Sequence, residues 1–219
     1  MNPQRPTPEQ GRQQLIGEEI ANSVSHAVGL LAALAATPLL LRTAMQHDDV
    51  LAIIGAIVFA VSVVLLYLTS TLYHALARNR AKTIFRVLDH CAIYFLIAGT
   101  YTPFTLGILR GAWGWTLFGL IWGIAFAGVA LKSLRGMSFP KLSVALYLGM
   151  GWLAIIAIRP LWTRVQAPGL WLIVAGGLAY SVGIVFFAAE HRRYTHLVWH
   201  LFVLAGTCCH FFAVLWYAN

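Results

Sequence analysis

Charge is what this sequence has least of: Asp, Glu, Lys and Arg together make up 10% of its 219 residues, against about 25% in an ordinary soluble domain. A surface that poor in charge is not built for water. With 60% of its residues hydrophobic, the chain reads as an integral membrane protein with no room for a sizeable soluble domain. Acidic residues are the scarcest, seven against fifteen Lys and Arg. The resulting net charge of +8 does not imply a nucleic-acid partner, because the basic residues sit in short clusters between apolar runs and not along one surface. They suit topology signals and contacts with anionic lipid headgroups. Cysteine is nearly absent, and Cys91, Cys208 and Cys209 all lie inside apolar stretches, so no disulfide framework is implied. The first twenty residues are polar and rich in Pro and Gln, and lack the basic-then-apolar order of a cleavable signal peptide. The first span is therefore expected to direct insertion. No internal repeat is evident.

What the chain does have is long apolar runs. A hydrocarbon core of about 30 Å needs roughly 20 apolar residues per helix, and such runs occur near Val24–Leu41, Val50–Leu68, Cys91–Leu109, Trp113–Leu131, Leu142–Ile158, Leu170–Ala189 and Leu197–Ala218. The expected fold is all-α: a seven-transmembrane-helix bundle over 18–219, preceded by a short polar segment over 1–17. The breaks carry charge, Gly or Pro: His47-Asp48-Asp49, Arg78-Asn79-Arg80, Arg110-Gly111, Arg135-Gly136, Arg159-Pro160 and Glu190-His191-Arg192-Arg193. Loops this short make successive helices antiparallel. One side then receives eleven Lys and Arg (Arg5, Arg12, Arg78, Arg80, Lys82, Arg86, Lys132, Arg135, Lys141, Arg192, Arg193) and the other four (Arg42, Arg110, Arg159, Arg164). That bias predicts a cytoplasmic N-terminus and an outside C-terminus. Trp113, Trp115, Trp162, Trp171 and Trp216 fall near the predicted outer ends, where indole rings favour the interface.

Ionisable side chains inside such helices cost at least about 2.5 kcal/mol each on insertion scales, so each needs a partner or a task. Here they gather at the cytoplasmic helix ends. Ser70 and His74 are four residues apart near the end of helix 2, Asp89 follows Arg86 at the start of helix 3, and His196 and His200 open helix 7. At about 1.5 Å of rise per residue, these histidines and Asp89 share one depth. The i, i+4 spacing puts His196 and His200 on one helical face, where two imidazoles can grip one ion. His74 completes a three-histidine zinc site with a fourth position for water. Leu197 stands where the zincin pattern has its Glu, so a general base must come from another helix, and Asp89 is the candidate.

A single His on an apolar helix is more often a packing residue than a ligand, but three at one depth beside a carboxylate favour a metal. Ser70 alone is weaker evidence, since Ser and Thr commonly bond within or across membrane helices. Glu19, Asn22 and His26 share a face of helix 1 at the same end, readable either as a second shell orienting the ligands or as an acidic N-terminal cap with one packing His. His210 lies about 15 Å deeper than His200 and suits a hydrogen-bonding role in the bundle interior. Haem is disfavoured as the cofactor, because its axial ligands approach from opposite faces of the iron and an i, i+4 pair on one helix does not, although His74 with either of them could. His47, His90 and His191 look ordinary.

Together these residues form a familiar pattern. Glu19-x-x-Asn22-x-x-x-His26, Ser70-x-x-x-His74, Asp89, Gly99-Thr100-Tyr101-Thr102-Pro103-Phe104 and His196-x-x-x-His200 with His210-Phe211 resemble, in this order, the bacterial hemolysin III family. That family belongs with the progestin and adipoQ receptors and, more distantly, the alkaline ceramidases. The resemblance, over about residues 18–217, implies a seven-helix protein of the bacterial inner membrane. It implies zinc held by His74, His196 and His200, with Asp89 and Ser70 beside the zinc-bound water, and roles in membrane lipid homeostasis or haemolysis. The expected function is a zinc-dependent hydrolase acting on a lipid amide or ester, with membrane lipids as partners. The alternatives are a structural-zinc regulator or sensor of membrane state and a hemolysin-type cytolytic protein.

Overall fold

The computed structural model describes residues 14–189 and 191–218. Arg5, Arg12, Glu190 and most of the expected N-terminal segment lie outside the described residues. Among those described, the only regular structure is helical, and seven helices are long and apolar enough to cross a membrane. They are α1 (Ile16–Met45), α2 (Val50–Ala75), α3 (Arg80–Leu106), α4 (Ala112–Arg135), an interrupted fifth span, α7 (Ala167–Ala188) and α8 (Thr195–Tyr217). The fifth span consists of α5 (Pro140–Gly151), a 3-10 turn (Leu153–Ala157) and α6 (Ile158–Arg164).

The helices outrun the apolar stretches that reveal them. The 30 residues of α1 reach about 45 Å at 1.5 Å per residue, beyond a core of about 30 Å, so its polar first turns extend the helix into the interface. Side-chain caps start the next two spans: Asp49 accepts from the Leu51 N–H at 3.0 Å and Asn79 from the Lys82 N–H at 3.0 Å. Each satisfies a backbone donor that the first turn leaves without an intrahelical partner. Gly111, at φ 123°, makes the turn into α4 in a conformation that L side chains rarely adopt.

α1 packs between α2 and α8, α3 between α2 and α4, and α7 on α8, while the fifth span touches α3, α4 and α7. The helices thus close a ring around an internal cavity. Large apolar side chains cover the outside, among them Leu31, Phe126 and Val185, as expected of a lipid-facing surface. Trp113, Trp115, Trp162, Trp171 and Trp216 are all exposed and lie toward one end of the bundle, opposite the end that carries most Lys and Arg. We call these the tryptophan end and the basic end.

The fifth span departs from the sequence reading. Arg159-Pro160 was expected to end it, yet α6 runs through Pro160 to Arg164. Pro160 sits in the first turn of α6, where a missing N–H costs nothing. The interruption comes instead at Trp152. There the Tyr101 hydroxyl lies 2.9 Å from Met150 O and 3.0 Å from Gly151 O, and it accepts from the Ala154 N–H at 2.8 Å. Trp152 Nε1 donates to Ser181 Oγ on α7 at 3.0 Å. Broken backbone at membrane depth persists where such partners exist and where it lines a cavity, and both conditions hold here. Lys132, read from the sequence as an interfacial charge, is only 1% exposed in the last turn of α4.

Candidate metal centre

Two helices deliver the histidines at the basic end. His74 comes from the last turn of α2, and His196 and His200 from the first two turns of α8. The start of α8 is set by Tyr194, whose left-handed backbone (φ 60°) is unusual outside Gly and Asn. Its N–H donates to Glu18 Oε1 at 2.8 Å, while Glu18 Oε2 accepts from the Leu15 N–H at 2.9 Å. One buried carboxylate therefore ties the start of α1 to the turn that aims His196. One ring nitrogen from each of His74, His196 and His200 lies within 4.8 Å of the others. Modest side-chain rotation brings such a set to the roughly 3.3 Å nitrogen separation of a tetrahedral site with metal–nitrogen bonds near 2.05 Å.

The outer nitrogens are already engaged. His74 Nδ1 lies 2.8 Å from Glu19 Oε2, and Glu19 Oε1 lies 3.0 Å from Lys82 Nζ. His200 Nδ1 faces the Asn22 carbonyl oxygen at 3.2 Å and Ser25 Oγ at 3.1 Å. A carboxylate and a carbonyl accept hydrogen, so both rings carry their proton on Nδ1 and keep the Nε2 lone pair for an ion. His74 Nε2 is buried with no hydrogen-bond partner, so its lone pair is one that could ligate an ion. Three imidazoles with no thiolate in the set suit zinc and the neighbouring divalent transition metals.

The remaining site residues of the sequence reading fall around this triad. Glu19 bonds to His74. Asn22 reaches His200 through its backbone, its side-chain amide being 2.8 Å from Gln14 Oε1. His26 stacks on His200 with ring centroids 3.6 Å apart and planes 8° from parallel. Asp89 is buried within electrostatic reach of His196. Ser70 is buried beside Asp89, its hydroxyl in no hydrogen bond of ordinary geometry. Sequence reasoning missed Glu18, Ser25 and Lys82, which contact the site only through interhelical geometry; the nearest signal was that all three are polar at the basic end.

His26, Ser70, Asp89 and His200 open onto a cavity of about 200 Å³ that runs past Tyr101 and Tyr180 to His210. Its wall is otherwise mostly aliphatic and aromatic. His210 is not part of the triad: its Nε2 faces the Ile173 carbonyl at 3.2 Å. It fits there because Gly176 is opposite, where a Cβ would lie 2.3 Å from Nε2. A buried polar cluster at the mouth of a long apolar chamber is a place where an amphiphile's polar group can be worked on while its tail is stored.

Comparison with known proteins agrees with this architecture. The family model described as "Haemolysin-III related" matches residues 15–211. The chain is 45% identical over 204 residues to "Hemolysin-3" of Bacillus cereus, covering 93% of each protein. It is 43% identical over 202 residues to the "Hemolysin-3 homolog" of Bacillus subtilis (strain 168), covering 92% of this chain and 95% of that one. The human "Monocyte to macrophage differentiation factor" is 28% identical over 207 residues, covering 90% of this chain and 83% of that protein. With seven membrane-length helices and a three-histidine cluster that could hold a metal ion, the chain belongs to the haemolysin III family of multi-pass membrane proteins.

Proposed function

We propose that this protein is a zinc-dependent hydrolase of a lipid amide or ester, working at the cytoplasmic leaflet of the bacterial inner membrane. The observation that carries this reading is that His200, one of the three clustered histidines, lines an apolar chamber together with Asp89 and Ser70. Zinc in a three-imidazole site supplies a Lewis acid that polarises carbonyls and acidifies water. His74, His196 and His200 would hold it, and Glu19 and the Asn22 carbonyl fix the ring tautomers. The Asp89 carboxylate accepts the proton of the attacking water, and the Ser70 hydroxyl donates a hydrogen bond to the oxygen on which charge develops. The chamber takes the acyl chain and keeps bulk water from the reacting carbonyl. The Lys and Arg bias orients the basic end to the cytoplasm.

Asp89→Asn tests the assignment, with hydrolysis of a panel of amide and ester lipids as the readout. The variant should lose about 10²–10⁴-fold in rate, the typical contribution of a general base, with zinc content and thermal stability unchanged. A wild type that carries zinc and cleaves nothing in the panel refutes catalysis.

One observation favours a second reading, in which the metal is structural. The ligands come from α2 and α8, on either side of α1, so zinc would tie early and late segments of the chain together. Under that reading chelation lowers stability sharply and Asp89→Asn has no functional effect. The Bacillus cereus relative's name, "Hemolysin-3", suggests cytolysis, but a largely apolar chamber offers no water path for a pore.

A further inference from the structure

A second recess lies at the basic end, outside the metal centre, at the corner where α2 turns into α3. Tyr73, Arg78, Asn79, Lys82, Thr83 and Arg86 line it. From residue 75 to 88 the sequence holds Arg78, Arg80, Lys82 and Arg86 and no acidic residue. The Glu19 carboxylate is paired with Lys82 and shared with His74.

We propose that this recess seats the phosphate of an anionic membrane lipid. Lys82 forms a fixed cationic floor: its ammonium lies 3.0 Å from Glu19 Oε1, 2.9 Å from Tyr73 O and 3.3 Å from Leu76 O, and 4.9 Å from the centre of the Tyr73 ring. Those three acceptors take its hydrogens, so it contributes charge and position, not direct bonds. Arg78 and Arg86 are both exposed and bring planar guanidinium groups whose paired N–H donors match phosphate oxygens. The Thr83 hydroxyl, turned to the Asn79 carbonyl at 3.5 Å, lines the rim, and the N-terminus of the 27-residue α3 points its positive end the same way.

Position selects a lipid over a free ion. The recess sits where two membrane spans meet the interface, the level of phospholipid phosphates, and a phosphate anchored by acyl chains arrives at high effective concentration. Basic pockets between transmembrane helices are established headgroup sites in general. Lys82 also belongs to the chain of contacts through Glu19 to His74, so a seated phosphate lies two residues from the metal centre.

The test is lipid binding to the intact, detergent-purified protein, by native mass spectrometry with phosphatidylglycerol, phosphatidylcholine and inorganic phosphate as probes. This readout involves neither zinc nor hydrolysis, so it stands or fails apart from the proposed activity. Wild type should prefer phosphatidylglycerol over phosphatidylcholine, and the double variant Arg78→Gln/Arg86→Gln should weaken that preference at least tenfold. The control pair Arg135→Gln/Arg193→Gln, on the same face of the membrane but outside the recess, should change it less than threefold. Arg78→Gln and Arg86→Gln singly should each lose part of the preference, which guards against a folding defect peculiar to the double variant. Equal losses in the pocket and control pairs, no preference in wild type, or displacement of the lipid by inorganic phosphate at equal concentration would each overturn the proposal.

Discussion

His26 lies flat against His200, ring centroids 3.6 Å apart and planes 8° from parallel, and no hydrogen bond holds either of its own ring nitrogens. Its contact with the candidate ligand is therefore one of shape. A flat neighbour restricts His200 to the ring plane in which Nδ1 reaches the Asn22 carbonyl and the ring meets that of His74 at 71°, centroids 5.1 Å apart.

His26→Ala removes that support, and zinc affinity should fall about 10- to 100-fold, the range seen when a ligand's orienting partner is lost. His26→Phe, which keeps an aromatic face over the ring, should recover most of the loss. Competition of the purified protein with a chelating dye measures both. Equal affinity in wild type and His26→Ala would show that His200 is oriented by its hydrogen bonds alone.

The clustering of the three histidines was readable because each step needed only helical arithmetic: His196 and His200 by i, i+4 spacing, and His74 by counting residues from the basic helix ends. The seven spans followed from apolar length in the same way. What could not be read depends on how helices rotate and tilt against one another. Ser25 lies 3.1 Å from His200 Nδ1 across 175 residues of sequence, and Glu18 caps both its own helix and the turn before α8 across 176. Nothing local marks either residue. Lys132 looked like another positive-inside charge, and only packing by its neighbours buries it. The break at Trp152 was hidden because Gly151 is a weak signal, and the hydroxyl that makes the break tolerable, Tyr101, lies about 50 residues away in sequence.

That break supplies the next prediction. Tyr101→Phe keeps the ring but removes the hydroxyl that serves Met150 O, Gly151 O and the Ala154 N–H. Backbone groups left unpaired away from water cost about 1–3 kcal/mol, so Tm should drop by about 2–10 °C for a chain of this size. Thermal unfolding in detergent or nanodiscs gives the answer. An unchanged Tm would mean that the interruption holds itself in place.

At the tryptophan end the Asp49–Arg110 pair makes stability depend on pH. Hydrogen bonding to Arg110 is the main cause holding the Asp49 carboxyl below the usual carboxylate range. A carboxyl whose folded value is depressed stabilises the fold above its unfolded value, near 4, and loses that contribution as pH falls toward the folded value. Asp49→Asn removes the charge yet keeps a side-chain oxygen to cap the Leu51 N–H. Wild type should therefore melt above the variant at pH 7, with the gap closing below about pH 4. The pair is open to solvent, so added salt should also narrow the gap. A gap that persists unchanged to pH 3 would assign the difference to something other than this pair.

The decisive measurement concerns which histidines hold metal. His74, His196 and His200 bring nitrogens within 4.8 Å of one another, so removing any one leaves two imidazoles for an ion that prefers at least three protein ligands. His74→Ala, His196→Ala and His200→Ala should each strip most of the zinc from a protein that binds one equivalent when wild type. His210 offers an internal control, because it is equally a buried histidine on α8 and lines the same cavity. Its Nε2 is given to the Ile173 carbonyl, and ten residues of helix put it about 15 Å from His200 along the axis. His210→Ala should keep full zinc and lose stability instead, by about 1–3 kcal/mol for the abandoned carbonyl. Elemental analysis of purified variants, with an absorption spectrum to test for haem, distinguishes the outcomes. If the three triad variants keep their zinc, or wild type purified without chelator carries none, the cluster is a packing and hydrogen-bonding network, and the hydrolytic reading falls with it.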